Sequence, residues 1–296
     1  MKKIHIITLY LLMWVFFSYA QQYTNYSTKN GLPSNHVYRI TQDYDGFIWF
    51  LTDKGIVKYN GSEFKTFTTK EGLPTNDIWD VRIGHDNKIW FFTKASAIGY
   101  IENDIVYTFE SNQKNKVFYP RIISQNKDTI FFTDTEKAFY LENNQWRSQK
   151  LYNGEPIIHQ QIKELLIKKG LDSLEIQSHG GSTLKTIALN TALTENKYRG
   201  QLNDSLFCWI TQQKIYLLNL NNLKSIKIDY NFKNQNNTRK FVRFSAVNNK
   251  IQFSGENFVS FLDKNYQLKN TIEIPKHLNS HFSFIDKNKN LWIATF

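Results

Sequence analysis

The chain has 296 residues, enough for one large or two ordinary domains with a substantial core, and its 16% aromatic content excludes a disordered chain. The net charge of +11 comes from lysines scattered among many asparagines, with no dense basic block. That pattern argues against nucleic acid as a partner and for a solvated basic surface, with a preference for acidic ligands as the lesser alternative.

The first element is a leader. Lys2 and Lys3 precede an uncharged apolar run from Ile4 to Phe17, and Ser18-Tyr19-Ala20 supplies a small-x-small cleavage pattern. The run is shorter than the roughly 20 apolar residues that span a bilayer, so residues 1–20 are expected to be a signal peptide rather than a retained anchor. The residue directly after Ala20 is Gln21, not a cysteine that could hold a lipid. The lone Cys208 allows no intrachain disulfide, and its place in the apolar run "LFCWI" predicts a buried, unreactive thiol.

Next comes a repeat. "KNGLPSNHVYRITQDYDGFIWFLTDKG" (29–55) is echoed by "KEGLPTNDIWDVRIGHDNKIWFFTKAS" (70–96) at a gapless offset of 41 residues. In each copy a "GLP(S/T)N" loop leads into a strand, Val37 to Gln42 or Ile78 to Ile83. The turns Asp43-Tyr44-Asp45-Gly46 and Gly84-His85-Asp86-Asn87 follow, then the strands "FIWFLT" and "KIWFFT". Consecutive apolar residues in those strands predict burial on both faces. After the turn Asp53-Lys54-Gly55 come "IVKY", the turn Asn60-Gly61 and a fourth strand in "SEFKTFT".

Each copy is thus a four-stranded antiparallel meander of about 40 residues, the size of one propeller blade. Fainter copies of the second strand start near Ile130, Leu174, Leu206, Ile251 and Leu291, which with Ile48 and Ile89 make seven units. The expected fold is all-β: a seven-bladed β-propeller of four-stranded antiparallel blades, with the last blade incomplete, over residues 21–296. Tyr23 and Tyr26 stand one period before Phe64 and Phe67, so the mature chain is expected to open on a fourth strand that completes the last blade. The missing third strand of that blade predicts a chain that is the N-terminal part of a longer protein.

The residues Gly31-Leu32-Pro33-Ser34-Asn35, Asp43, Gly46, Ile48-Trp49, Thr52, Gly55-Ile56, Tyr59-Asn60-Gly61 and Phe64, with "DKNKNLWIAT" near the end, resemble the two-component regulator propeller repeat. The resemblance implies the periplasmic sensor region of a sensor histidine kinase or hybrid two-component receptor, of the type found in Bacteroidetes. It implies a glycan-like ligand, a homodimer through the propeller, and a membrane helix and kinase lying beyond this chain. On that basis the chain is expected to be an exported signal-input module, non-catalytic in itself. The alternative is a free-standing secreted propeller acting as a binding or adhesion scaffold.

No cofactor or metal is expected. None of His36, His85, His159, His179, His277 and His281 is read as a metal ligand, and Asp43, Asp45 and Gly46 suit a turn better than a calcium loop. Trp49, Trp90 and Trp292 sit inside apolar strands and are expected to pack between blades. In a propeller, the loop entering each innermost strand shares a rim with the loop between second and third strands. Asn35, His36, Asp53, Asn76, Asp77 and Lys94 lie in those loops and are the candidate ligand contacts; the competing role for Asn35 and Asn76 is to cap their own loops.

Overall fold

The computed structural model describes residues 23–111, 117–120, 122–126, 129–133, 137–150, 165–169, 173–178, 182–188, 198–203, 205–210, 214–229, 243–247, 250–255, 258–263 and 265–295. The leader and the histidines His159 and His179 lie outside the described residues.

The chain is an all-β propeller, with seven antiparallel sheets among the described residues, each formed by strands consecutive in sequence. The first sheet holds β1 (Val37–Gln42), β2 (Ile48–Thr52), β3 (Gly55–Tyr59) and β4 (Phe64–Phe67). The second holds β5 (Asp80–Ile83), β6 (Ile89–Phe92), β7 (Ala97–Glu102) and β8 (Ile105–Glu110). The third comprises β9 (Ile122–Asn126), β10 (Thr129–Thr133), β11 (Lys137–Glu142) and β12 (Gln145–Lys150). The fourth comprises β13 (Leu165–Lys169), β14 (Ser173–Ser178) and β15 (Thr183–Ala188). The fifth has β16 (Tyr198–Asn203), β17 (Leu206–Ile210), β18 (Lys214–Asn219) and β19 (Ser225–Asp229). The sixth has β20 (Arg243–Val247), β21 (Lys250–Gly255), β22 (Phe258–Leu262) and β23 (Leu268–Glu273), and the seventh has β24 (Ser280–Ile285) and β25 (Leu291–Thr295).

All seven predicted second strands are strands, each second in its sheet. Five sheets are complete four-stranded blades; among the described residues the fourth has three strands and the seventh two, so a uniform four per blade is not what the structure shows.

The double-sided burial of the second strands has a simple cause. In β2, Trp49 and Leu51 pack toward Val81, Ile89 and Phe91 of the second sheet, while Ile48 and Phe50 pack toward Phe282 and Phe284 of β24. The period-2 alternation of a strand sends successive side chains into two different inter-sheet cores. β6 does the same, with Ile89 and Phe91 on one side and Trp90 and Phe92 against Phe132 on the other. β17 splits Leu206, Cys208 and Ile210 from Phe207 and Trp209. Cys208 is fully buried, and burial pushes its thiol pKa well up, as its apolar run predicts.

The seventh sheet is wedged between the sixth and the first, so the ring returns on itself. Gln252 Nε2 donates to the Ile285 carbonyl and Gln252 Oε1 accepts from Ile285 N–H, both at 2.9 Å. On the other side, Gln42 Oε1 accepts from Lys287 N–H at 2.7 Å. Two buried glutamine amides therefore fasten this sheet to its neighbours.

One expectation is corrected at this seam. Residues 23–27 form no strand. Among the described residues the seventh sheet holds β24 and β25, and residues near the start of the described chain meet it through side chains. The Tyr26 ring stacks on Trp292 at 5.8 Å and meets Phe64 edge-on at 5.6 Å, and its hydroxyl is hydrogen-bonded to that of Tyr59 at 2.9 Å. Two smaller differences concern boundaries. β5 begins at Asp80 rather than Ile78, and Asn60-Gly61 opens a longer loop in which Asn60 Oδ1 accepts from Ser62 and Glu63 N–H at 2.8 Å.

Candidate functional site

The two "GLP(S/T)N" loops are built alike. In the first, Asn35 Oδ1 accepts from Thr28 N–H at 2.9 Å, and Gly31 takes a φ of 109° that favours glycine. In the second, Asn76 Oδ1 accepts from Thr69 N–H at 2.8 Å, and Gly72 takes a φ of 107°. Both candidate asparagines thus use their side-chain oxygens to staple their own loops, as a local side chain to backbone bond commonly does.

The other candidates divide. Lys94 is exposed on the turn after Thr93. His36, also exposed, sets its ring edge-on to Tyr38 at 4.7 Å. Asp77 is the hub of the rim. Its Oδ1 accepts from the Tyr38 hydroxyl at 2.8 Å, its Oδ2 from the Trp79 indole N–H at 3.0 Å, and its carbonyl from the Thr93 hydroxyl at 2.5 Å. Trp79 N–H is in turn donated to the Phe92 carbonyl at 3.3 Å, and its ring meets Tyr119 edge-on at 5.8 Å. The structure therefore brings His36 and Asp77 into one string of groups, His36–Tyr38–Asp77–Trp79–Tyr119, that crosses from the first sheet to the segment before β9.

Asp53 stands beside this string. Its charge is one of the influences on Tyr38, whose pKa is raised first by burial, then by the hydrogen bond to Asp77 and by the charges of Asp77 and Asp53. Asp53 Oδ1 is shielded from solvent and has no hydrogen-bond partner among the described residues. The site can therefore present rings edge and face, and carboxylate oxygens as acceptors.

Tyr38, Trp79 and Tyr119 were not singled out by sequence. A signal was present: Tyr38 and Trp79 hold the same position of successive repeats, three residues past the asparagine of each "GLP(S/T)N". Tyrosine is abundant in this chain, which hid it.

A second charged group lies on the innermost strands. Arg39 and Arg82 both donate to Asp80 Oδ1, and Arg39 also reaches the Phe244 carbonyl at 3.4 Å across to the sixth sheet. These bonds tie inner strands together and use the side chains structurally. The Asp43 carboxylate serves its turn, accepting from Gly46 N–H, Phe47 N–H and Trp49 Nε1–H, each at 2.8 Å. Among the described residues, no group of three or more His, Cys, Asp or Glu could hold a metal ion, and no helix is long and apolar enough to cross a membrane.

Comparison with known proteins places this geometry in context. The family described as two component regulator propeller matches residues 31–54, the loop, turn and strands of the first repeat. No curated protein matches by sequence. Among solved structures, the extracellular domain of a hybrid two component system of B. thetaiotaomicron is similar over 92% of this chain, with 18% identity and a TM-score of 0.57. This chain covers 40% of that domain. Virginiamycin B lyase from Staphylococcus aureus is similar over 88% of this chain and 92% of its own, with 17% identity and a TM-score of 0.62. A streptogramin B lyase gives 17% identity and a TM-score of 0.63 over 90% of this chain. At these identities the likeness shows the fold.

The lyases correct one expectation. The chain was expected to be no enzyme in itself, with the kinase activity that the resemblance implies lying in parts beyond it. A fold shared with lyases over nearly the whole chain shows that this architecture also houses catalysis, so it gives no ground for that exclusion.

Proposed function

We propose that this chain, which carries a two component regulator propeller repeat, is the exported signal-input propeller of a two-component system and receives a glycan-like ligand at the rim bearing its "GLP(S/T)N" loops. The observation that carries this is a coincidence of place. The repeat matched over residues 31–54 is the one that supplies Tyr38 and Asp53 to the string of rings and carboxylates on that rim. The fold shared with the extracellular domain of a hybrid two component system supports the same assignment. In this reading residues 1–20 direct export, the seven sheets act as one propeller, and the chain works as a homodimer in the periplasm, with membrane helix and kinase in further parts of the receptor.

The test is calorimetric titration of the exported chain with a panel of oligosaccharides, followed by chromatography of the recovered ligand. The expected result is binding of one glycan class. Absence of heat with every neutral and acidic glycan would remove the glycan-receptor reading, and recovery of a cleaved ligand would show that the propeller also turns its ligand over.

A further inference from the structure

We infer that Asn60 is a site of spontaneous chemical modification, converted through a succinimide into isoaspartate or aspartate by attack of the Gly61 backbone nitrogen on its side-chain amide. The isoaspartate form loosens the seam that closes the ring.

An asparagine followed by glycine is the pair most open to this reaction, because no side chain shields the attacking nitrogen. Two such pairs lie among the described residues, Asn30-Gly31 and Asn60-Gly61. Asn60, Gly61, Ser62 and Glu63 are all exposed in the loop between β3 and β4. Among the described residues no backbone hydrogen bond holds Gly61 N–H, and nothing lies within 4 Å of where a Cβ on Gly61 would stand. That peptide is able to turn its nitrogen toward the Asn60 side chain. Gly31 is committed elsewhere: its N–H donates to the Thr28 carbonyl at 3.4 Å at the end of a short 3-10 turn, and a Cβ there would meet the Phe64 ring at 3.3 Å.

The amide under attack is also prepared for it. Asn60 Oδ1 accepts from Ser62 N–H and Glu63 N–H at 2.8 Å and from the Ser62 hydroxyl at 2.9 Å. Negative charge develops on this oxygen when the nitrogen bonds to Cγ, and donors already aimed at it stabilise that charge, as in an oxyanion hole. Asn30 Oδ1 has only Ser27 as donor, through its N–H at 2.9 Å and its hydroxyl at 3.0 Å. In the reaction Gly61 N–H gives its proton to water or hydroxide, the nitrogen bonds to Cγ, and the Cγ–Nδ2 bond breaks with release of ammonia. Water then opens the five-membered ring at either carbonyl, and nothing is oxidised or reduced.

The two products differ in what they do to the seam. The Tyr59 hydroxyl donates to the Gly61 carbonyl at 2.6 Å and is hydrogen-bonded to Tyr26, whose ring stacks on Trp292. Aspartate keeps the ordinary backbone and a carboxylate oxygen for the same donors. Isoaspartate routes the main chain through the side-chain carbons and lengthens it by one carbon between Tyr59 and Gly61. The Gly61 carbonyl then moves off Tyr59, and the oxygen that capped Ser62 and Glu63 becomes part of the backbone. The closing contact therefore ages with the residue beside it.

The experiment holds the full chain folded in buffer between roughly pH 7 and 9, below the ordinary tyrosine pKa, and in parallel in urea. Peptide mass mapping follows Asn30 and Asn60, released ammonia is assayed, and isoaspartate is labelled by an isoaspartate-specific methyltransferase. Asn60 is expected to convert faster than Asn30 in the folded chain, by a ratio larger than the ratio in urea. Ser62→Ala should slow Asn60 about two- to tenfold, the worth of one hydrogen bond, and leave Asn30 unchanged. Aged chain rich in isoaspartate should unfold at lower urea than fresh chain, whereas fresh Asn60→Asp, and Asn60→Gln aged for the same time, should match fresh parent. Equal ratios in buffer and in urea, or an unchanged rate in Ser62→Ala, would overturn the prepared amide. An aged parent with the fresh midpoint, or an aged Asn60→Gln that loses as much, would overturn the link to the seam. If Ser62→Ala fails to fold, the comparison of buffer with urea in the parent decides the first point alone.

Discussion

Asp43 and Trp49 form a clasp: the indole N–H of Trp49 donates to Asp43 Oδ2 at 2.8 Å, closing the turn between β1 and β2 with the same carboxylate that caps its backbone. Asp286 and Trp292 repeat it at 2.9 Å at the corresponding turn of the seventh sheet. Burial raises the Asp43 pKa, and the three N–H donors oppose that rise. Trp49→Phe keeps a buried ring but leaves that carboxylate oxygen without its donor, so a loss of about 1–3 kcal/mol is expected. Urea unfolding of the two proteins measures it. An unchanged midpoint would mean the clasp contributes nothing to the fold.

The second repeat lacks this clasp, because Gly84 stands where the first has Asp43. Gly84→Asp should supply an acceptor for Trp90 and raise stability by about 0.5–1.5 kcal/mol. A Cβ there would lie 2.4 Å from Asp86 Oδ1, which accepts from Lys88 N–H at 3.2 Å, so the gain requires Asp86 to turn away and give up that bond. A lower melting temperature for Gly84→Asp would show that the turn cannot adjust.

Two glycines with similar backbones should respond differently. Gly55 has a φ of 130°, and an added Cβ would lie 2.4 Å from the Phe67 carbonyl oxygen. Gly61 has a φ of 104° with nothing within 4 Å. Gly61→Ala should cost about 1 kcal/mol of backbone strain, whereas Gly55→Ala adds a backbone clash and should cost about 3 kcal/mol or more. Equal costs in equilibrium unfolding would refute the contact.

Alkaline pH should loosen the seam and the rim together. Burial and then the hydrogen bond with Tyr26 push Tyr59 up to about 12, and Tyr38 is raised by burial and by Asp77. Both hydroxyls hold their protons more tightly folded than unfolded, so their stabilisation is full below pH 10 and is lost as pH rises from there toward the folded values. Chemical unfolding between pH 8 and 11.5, roughly spanning the unfolded tyrosine pKa, should show stability falling above about pH 10. Tyr26→Phe should reduce that slope, and a flat profile in the parent would contradict the assignment.

The sequence determined the repeat, the second strand of every sheet and the turn chemistry, because each is written locally. A strand buried on both faces must be apolar at every position, so β2, β6 and β17 were legible wherever apolar runs followed polar turns. The same local logic foresaw that Asn35 and Asn76 could cap their own loops.

Only the tertiary structure decided how the ring closes and where the rim groups meet. Residues 23–27 share the spacing of a fourth strand but form none, and Tyr26 meets Trp292 and Phe64 by ring packing, a contact between positions far apart in sequence. Tyr38, Asp77 and Tyr119 are far apart in sequence and belong to different blades. Their meeting depends on the angle at which neighbouring sheets pack, and that angle is set by the inter-sheet cores as a whole, not by any one stretch of residues.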